Sequence, residues 1–213
     1  MTPILLLGGG GHCKSIIDTI KSSNLYDIVG IIDLKDSVGK EVNGIKIIDH
    51  EENLNLYRNT IDNAFISIGS IGNVSIRKKV FLKLKKLNFN IPSIIDKTSI
   101  IGENVTIGNG TFIGKGSIIN ANVSIGENCI INSGVILEHD CKIDNFVHIA
   151  PGSIICGGVS ISENSHIGAG TTIIQNKTIG NNTIIGAGSL ITKDIGDNIV
   201  AYGNPAREVR KNE

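Results

Sequence analysis

From Ile95 to Ile191 every sixth residue is aliphatic, seventeen positions in a row holding sixteen isoleucines and one leucine, Leu137. This period fits neither an α-helix, at about 3.6 residues per turn, nor a strand that alternates every two. It is the period of a parallel β-helix built from hexapeptides, three of which close one triangular coil. Four residues after each aliphatic stands a small or β-branched residue, such as Val105, Thr111, Ser117, Val123, Cys129 and Val135, with Lys177 the exception. Both positions are expected to point inward and to stack coil on coil. The glycines that often follow the aliphatic (Gly102, Gly108, Gly114, Gly126, Gly168) and the abundant asparagines are expected to make the turns where positive φ is needed.

A core of isoleucine and small side chains suits a chain with 26 glycines, no tryptophan and 4% aromatic residues. Twenty basic residues balance twenty acidic ones, which argues against a nucleic acid or a membrane surface as a partner held by bulk charge. The four cysteines, Cys13, Cys129, Cys141 and Cys156, form no CxxC pair and no metal-ligand spacing. Reduced thiols, with an opening "MTPILLLGGGGH" that lacks the pattern of a signal peptide, lead us to expect a cytoplasmic protein.

The first ninety residues read differently. "PILLLGGGGHCKSIIDTIKSS" is a strand over Leu5–Leu7, a glycine loop over Gly8–Gly11, and an amphipathic helix from about His12 with Ile16, Ile17 and Ile20 on one face. "DIVGIID" (27–33) and "AFISIG" (64–69) are further buried strands, and 73–88 is a second helix with Val80, Leu84 and Leu87 inward. The pattern predicts an α/β unit with a parallel sheet. The loop is not a dinucleotide fingerprint, because Cys13 stands where the third glycine would be. A glycine loop at a helix N-terminus suits a phosphate or nucleotide sugar, and equally a bare strand-to-helix turn. His50, in "IIDHEENL", reads as part of a polar, solvent-facing link.

Two histidines lie nine residues apart in "LEHDCKIDNFVH" (137–148). Neither His139 nor His148 falls on an inward position, and half a coil separates them, so within one subunit they face different directions. Histidine titrates in the range a general base needs, and Asp140 can orient the His139 imidazole. His166, one full coil beyond His148, should stack on it. Three histidines at subunit interfaces could also hold zinc, but the "EHDC" context and the N-terminal unit argue against that.

These motifs resemble a known family. Tandem [LIV]-G-x-x-[STAV]-x hexads over residues 93–205 resemble the left-handed parallel β-helix acyltransferases. "LLGGGGHCKS" (6–15) ahead of such hexads resembles the opening of the sialic-acid O-acetyltransferase family, which includes the bacterial nucleotide-amino-sugar N-acetyltransferases of bacillosamine- and perosamine-type pathways. "EHDC" (138–141) resembles that family's E-H-[ED]-C motif, and "YGNPA" (202–206) its closing segment.

The resemblance implies a Rossmann-like α/β half-domain over residues 1–90, then a left-handed parallel β-helix over 91–213. It implies a homotrimer with acetyl-CoA between neighbouring β-helices and no metal. His139 would be the general base, with Asp140 orienting it. His148 would contact the acyl-CoA, and Ala169 and Ala187, in two "IGAG" segments, would line its arm. Gly10, Gly11 and His12 would hold the nucleotide sugar, Asp33 its base, and Gly69 would lie at the same site beside Arg77. Leu34 stands where relatives carry a second acid. The implied reaction transfers acetyl to the 4-amino group of a UDP- or GDP-linked amino-deoxy sugar. The alternative is O-acetylation of a sialic-acid-like sugar.

Overall fold

The structure, a computed structural model, describes Met1–Asn212. Its contacts divide it into two compact units, Met1–Ser70 with Ser75–Lys97, and Ile71–Val74 with Thr98 onward.

The first unit is an α/β sheet. Strand β1 (Thr2–Leu7) lies between β2 (Tyr26–Asp33) and β5 (Asn63–Ile66), parallel to both, with Leu7 opposite Ile32 and Ile66. Helix α1 (Gly11–Ser23) buries Cys13, Ile16, Ile17 and Ile20, a stripe at helical spacing, and stops at Asn24, which takes the left-handed conformation. The later helix, α3 (Ser75–Lys86), buries Val80, Phe81 and Leu84 as expected, and Arg77 in addition. Leu87 falls beyond its end and is half-buried.

One region differs from the expectation. Residues 41–50 form a hairpin of β3 (Glu41–Val42) and β4 (Ile45–His50), and β4 adds to the sheet parallel to β2. His50 therefore ends a strand and is half-buried rather than sitting in a solvent-facing link. A short helix, α2 (Leu54–Tyr57), follows.

The second unit is a parallel β-helix whose two-residue strands pair from one coil to the next. Ile118–Ile119 meets Ile136–Leu137 on the first face, Ser124–Ile125 meets Lys142–Ile143 on the second, and Ile130–Ile131 meets His148–Ile149 on the third. From Ile113 to Ile191 the aliphatic column is buried, and burying each such side chain stabilises by roughly 1.5–3 kcal/mol. Ile101 remains partly exposed, as befits an end coil of a solenoid. The small column is also inward, and its hydroxyls pin the corner carbonyls: Ser165 Oγ donates to Gly180 O at 2.6 Å and Thr183 Oγ1 to Gly196 O at 2.7 Å.

Two requirements share out the glycines and asparagines. Residues at every sixth position from Asn104 to Gly188 have positive φ, and all are Asn or Gly except Asp140 and Phe146. The glycine directly after the aliphatic serves another purpose. A Cβ on Gly168 would lie 2.4 Å from the backbone N of Ala187, so glycine there lets the coils stack. The hairpin Ile199–Gly203 and Ala206–Lys211 extends the third face. Among the described residues no helix is long and apolar enough to cross a membrane.

Candidate functional site

His139 and Asp140 occupy the turn between the first and second faces. The neighbouring coils grip their backbone: Asp140 N–H donates to Ala121 O at 3.1 Å, and Gly158 N–H to His139 O at 2.9 Å. Asp140 has φ +61, a conformation an Asp side chain tolerates better than most. This turn brings His139 Nδ1 to 2.8 Å from Asp140 Oδ2. The other carboxylate oxygen accepts a hydrogen bond from Asn122 Nδ2 at 3.2 Å. The hydrogen bond from His139, then that from Asn122, hold the Asp140 carboxyl below the usual range. An ionised carboxylate can only accept, so Nδ1 is the donor in this bond, and a neutral ring held this way has its lone pair on Nε2. The His139 side chain is 64% exposed. The imidazole is thus oriented by its neighbours and open on its Nε2 side.

His148 lies on a strand of the third face, away from the corner that carries His139. Although its side chain starts on the outer side of the strand, it is only 8% exposed. It stacks edge-on with His166, ring centroids 4.8 Å apart, and its Nε2 is 3.4 Å from Asn132 Nδ2. No group of three or more His, Cys, Asp or Glu among the described residues could hold a metal ion. Ala169 and Ala187 are exposed at the same corner of successive coils, with Gly188 N–H bonded to Ala169 O at 2.8 Å. Cys141 of the "EHDC" motif points inward, its thiol against Cys156 O, and burial pushes it up to about 11.

In the first unit a cavity of about 470 Å³ opens beside the glycine loop. Leu7, Gly8–Gly10, Asp33, Leu34 and Gly69 contribute to its wall. Asp33 uses both carboxylate oxygens on backbone: Oδ2 accepts from Gly9 N–H and Oδ1 from Leu34 N–H, each at 2.7 Å. The loop is therefore fastened to the end of β2. Gly10 and Gly11 are exposed, with nothing within 4 Å of where a Cβ would stand. His12 packs its Cβ against Gly69, where an added Cβ would lie 3.3 Å away. Arg77 is buried and donates to Ile66 O and Ile68 O, tying α3 to the end of β5 rather than facing the cavity. Cys13 is buried as well, and burial pushes its thiol up to about 11.

Sequence reasoning missed Asn122 and Gly157. A Cβ on Gly157 would lie 2.6 Å from both Cε1 and Nε2 of His139. Each lies one full coil from a member of the pair, so the coil period held the signal.

Both units match known proteins. The PglD N-terminal domain matches residues 3–84, the bacterial transferase hexapeptide (six repeats) matches 104–139, and the hexapeptide repeat of succinyl-transferase matches 152–175. No curated protein sequence matches the chain. Among solved structures, PerB from Caulobacter crescentus, in complex with CoA and GDP-perosamine, is 30% identical. That match covers 99% of this chain and 98% of PerB, with a TM-score of 0.92. The chain belongs to the PglD and perosamine N-acetyltransferase family of left-handed β-helix hexapeptide acyltransferases.

This acetyltransferase is also similar to the acetyltransferase domain of PglB from Neisseria gonorrhoeae. Identity there is 28%, over 98% of this chain and 100% of that one, with a TM-score of 0.88. A histidine-to-asparagine variant of the Caulobacter crescentus perosamine N-acetyltransferase, also with CoA and GDP-perosamine, matches at 29% identity over 99% and 98% of the two chains, with a TM-score of 0.93.

Proposed function

We propose that this acetyltransferase moves acetyl from acetyl-CoA to the 4-amino group of a UDP- or GDP-linked amino-deoxy sugar. The observation that carries the reading is the His139 Nδ1–Asp140 Oδ2 bond of 2.8 Å, which leaves Nε2 free at an exposed corner. As the amine adds to the thioester carbonyl, a C–N bond forms and the amine proton passes to His139 Nε2. The C–S bond then breaks, and the leaving sulfur takes that proton and departs as the thiol. Asp140 holds the tautomer and balances the imidazolium as it forms.

The remaining residues have roles that suit this step. His148 and the exposed Ala169 and Ala187 backbone accompany acetyl-CoA, the small side chains letting its arm approach. Gly10, Gly11 and His12, at the start of α1, offer N–H donors and the positive end of a helix to the nucleotide phosphates. Asp33 and Gly69 shape that cavity. Residues 1–90 would thus serve the nucleotide sugar and 91–213 the transfer. The cavity beside a phosphate-ready loop favours a nucleotide-linked sugar over a free one, and so N-acetylation over O-acetylation of a free sialic acid. PerB, with CoA and GDP-perosamine, and the PglB domain, with acetyl coenzyme A, accord with the two substrates.

The protein is read as a cytoplasmic homotrimer. On the first face the outward row is Ile100, Ile118, Ile136, Ile154, Thr172 and Leu190, whereas the second face shows Thr106, Ser124, Lys142, Ser160 and Thr178. Such an aliphatic row, with Ile100 63% and Ile154 39% exposed, suits burial against another copy.

The test is thiol release from acetyl-CoA with GDP-perosamine, a UDP-linked 4-amino-sugar, free sialic acid and CMP-sialic acid. Turnover on an amino-sugar nucleotide supports the proposal and names the base. Turnover on sialic acids alone overturns it. His139→Ala should lower kcat by roughly 10² or more, and near-normal turnover would remove His139 from the mechanism.

A further inference from the structure

The His139–Asp140 pair is exposed, and an exposed pair of side chains keeps one geometry only if something holds it. Two contacts do so, from the coils on either side. On one side Asn122, one coil before Asp140, has φ +61 and donates Nδ2–H to Asp140 Oδ1 at 3.2 Å. Asn122 is itself held: its Oδ1 accepts from Asn104 Nδ2 at 3.3 Å, and its N–H donates to Glu103 O at 3.0 Å. With Oδ1 engaged by Asn122, Oδ2 is the atom turned to His139 Nδ1.

On the other side Gly157, one coil after His139, lies beneath the imidazole. Any Cβ there would come within 2.6 Å of Cε1 and Nε2 and 3.2 Å of Cδ2, well inside contact distance. Gly157 does not have positive φ, so backbone conformation does not demand glycine at this position. The space it leaves is filled by the ring. Asn122 and Gly157 therefore act on different members of the pair: one fixes the carboxylate by a hydrogen bond, the other seats the imidazole by having no side chain.

We propose that Asn122 and Gly157 are positioning residues for this acetyltransferase, setting the imidazole–carboxylate geometry from the two adjoining coils. The proposal rests on the reading of His139 as general base for its consequence in turnover, but not for its consequence in geometry. Both can be tested without disturbing the fold. Asn122→Gly keeps a residue suited to positive φ. Gly157→Ala adds a methyl against an exposed ring, which can swing aside more cheaply than the coil can move.

The direct readout is the ¹⁵N spectrum of histidine-labelled full-length protein, with His139→Gln assigning the His139 signals. The unaltered protein should show the tautomer protonated at Nδ1. Asn122→Gly and Gly157→Ala should shift those signals towards the tautomer mixture of a free imidazole. With a substrate from the panel above, kcat should fall by roughly tenfold for Asn122→Gly and roughly 10²-fold for Gly157→Ala, as small misplacements of a reacting group do. KM for both substrates should stay within about twofold, because neither change removes a binding contact. Asn164→Gly, a ladder asparagine with φ +62 at a different corner, should leave spectrum and turnover unchanged. Unaltered His139 signals in both coil variants would overturn the proposal. Altered signals together with normal turnover by His139→Gln would instead overturn the general-base reading and leave the positioning intact.

Discussion

His148 and His166 stand on adjacent coils with ring centroids 4.8 Å apart and ring planes at 68°. Both are 8% exposed, and burial holds His166 below the ordinary histidine pKa. A depressed folded-state pKa means that the unfolded chain binds more protons as the medium is acidified. The stability linked to neutral His166 is fully present above pH about 6.5, the ordinary value, and is lost as the pH falls towards the folded value. Replacing His166 by Leu should flatten the fall of Tm between pH 7 and pH 5. The same slope with and without His166 would contradict the assignment.

The hydrogen bond from His139 Nδ1 to Asp140 Oδ2 sets the effect of Asp140→Asn. Asparagine keeps the left-handed backbone, so Tm should hold. Its amide can donate to Nδ1 and stabilise the tautomer with hydrogen on Nε2, where no lone pair is left to take a proton. Steady-state kinetics should show kcat reduced by roughly 10²–10⁴. A loss below threefold would show that the carboxylate does not orient the ring.

Asp33 predicts a different kinetic signature. Its two oxygens serve Gly9 N–H and Leu34 N–H, so Asp33→Ala leaves two loop donors without partners. The loop should lose its shape and KM for the nucleotide sugar should rise by roughly tenfold or more. KM for acetyl-CoA should stay within about twofold. Equal rises in both would mean that the change acts on the whole fold.

The aliphatic row of the first face predicts the behaviour of Ile154. A carboxylate in an apolar contact between copies is costly, so if the proposed homotrimer forms through this row, Ile154→Glu should shift the sedimentation mass from trimer towards monomer. Ser160→Glu, on the polar second face, should leave the mass unchanged. A trimer that survives Ile154→Glu would place its contact elsewhere.

The inward column is different, since Ile149 is fully buried between like residues of adjacent coils. Ile149→Ala should cost about 2–5 kcal/mol, read as a lowered denaturant midpoint. Ile154→Ala should cost the single chain much less.

How far the sequence disclosed the structure follows from periodicity. One coil consumes three hexads, so Ile113 to Ile191 announced both the core and its direction, and the step from His148 to His166 announced their stack. The hairpin at 41–50 went unread although Asn43–Gly44, both at positive φ, is a strong turn signal for two short strands. His50, at the end of that hairpin, is half-buried for the same reason. The near-complete burial of His148 was not legible, because the repeat tells which side of a strand a residue leaves from and not what covers that side. The fastening of Asp33 to Gly9 was equally hidden, since it joins the glycine loop to the end of a strand distant in sequence through no repeat.

The three-hexad step of the β-helix makes position along the chain an angle. Adding or deleting a whole coil would lengthen or shorten the protein while leaving every face aligned. A single hexad gained or lost ahead of residue 139 would turn all that follows by a third of a revolution. His139 would then emerge beside a different face, parted from whatever the first face meets. Descendants of this chain are therefore free to vary in length by whole coils and are penalised for single hexads, a constraint that comparison of related genes would expose as a gap-length rule.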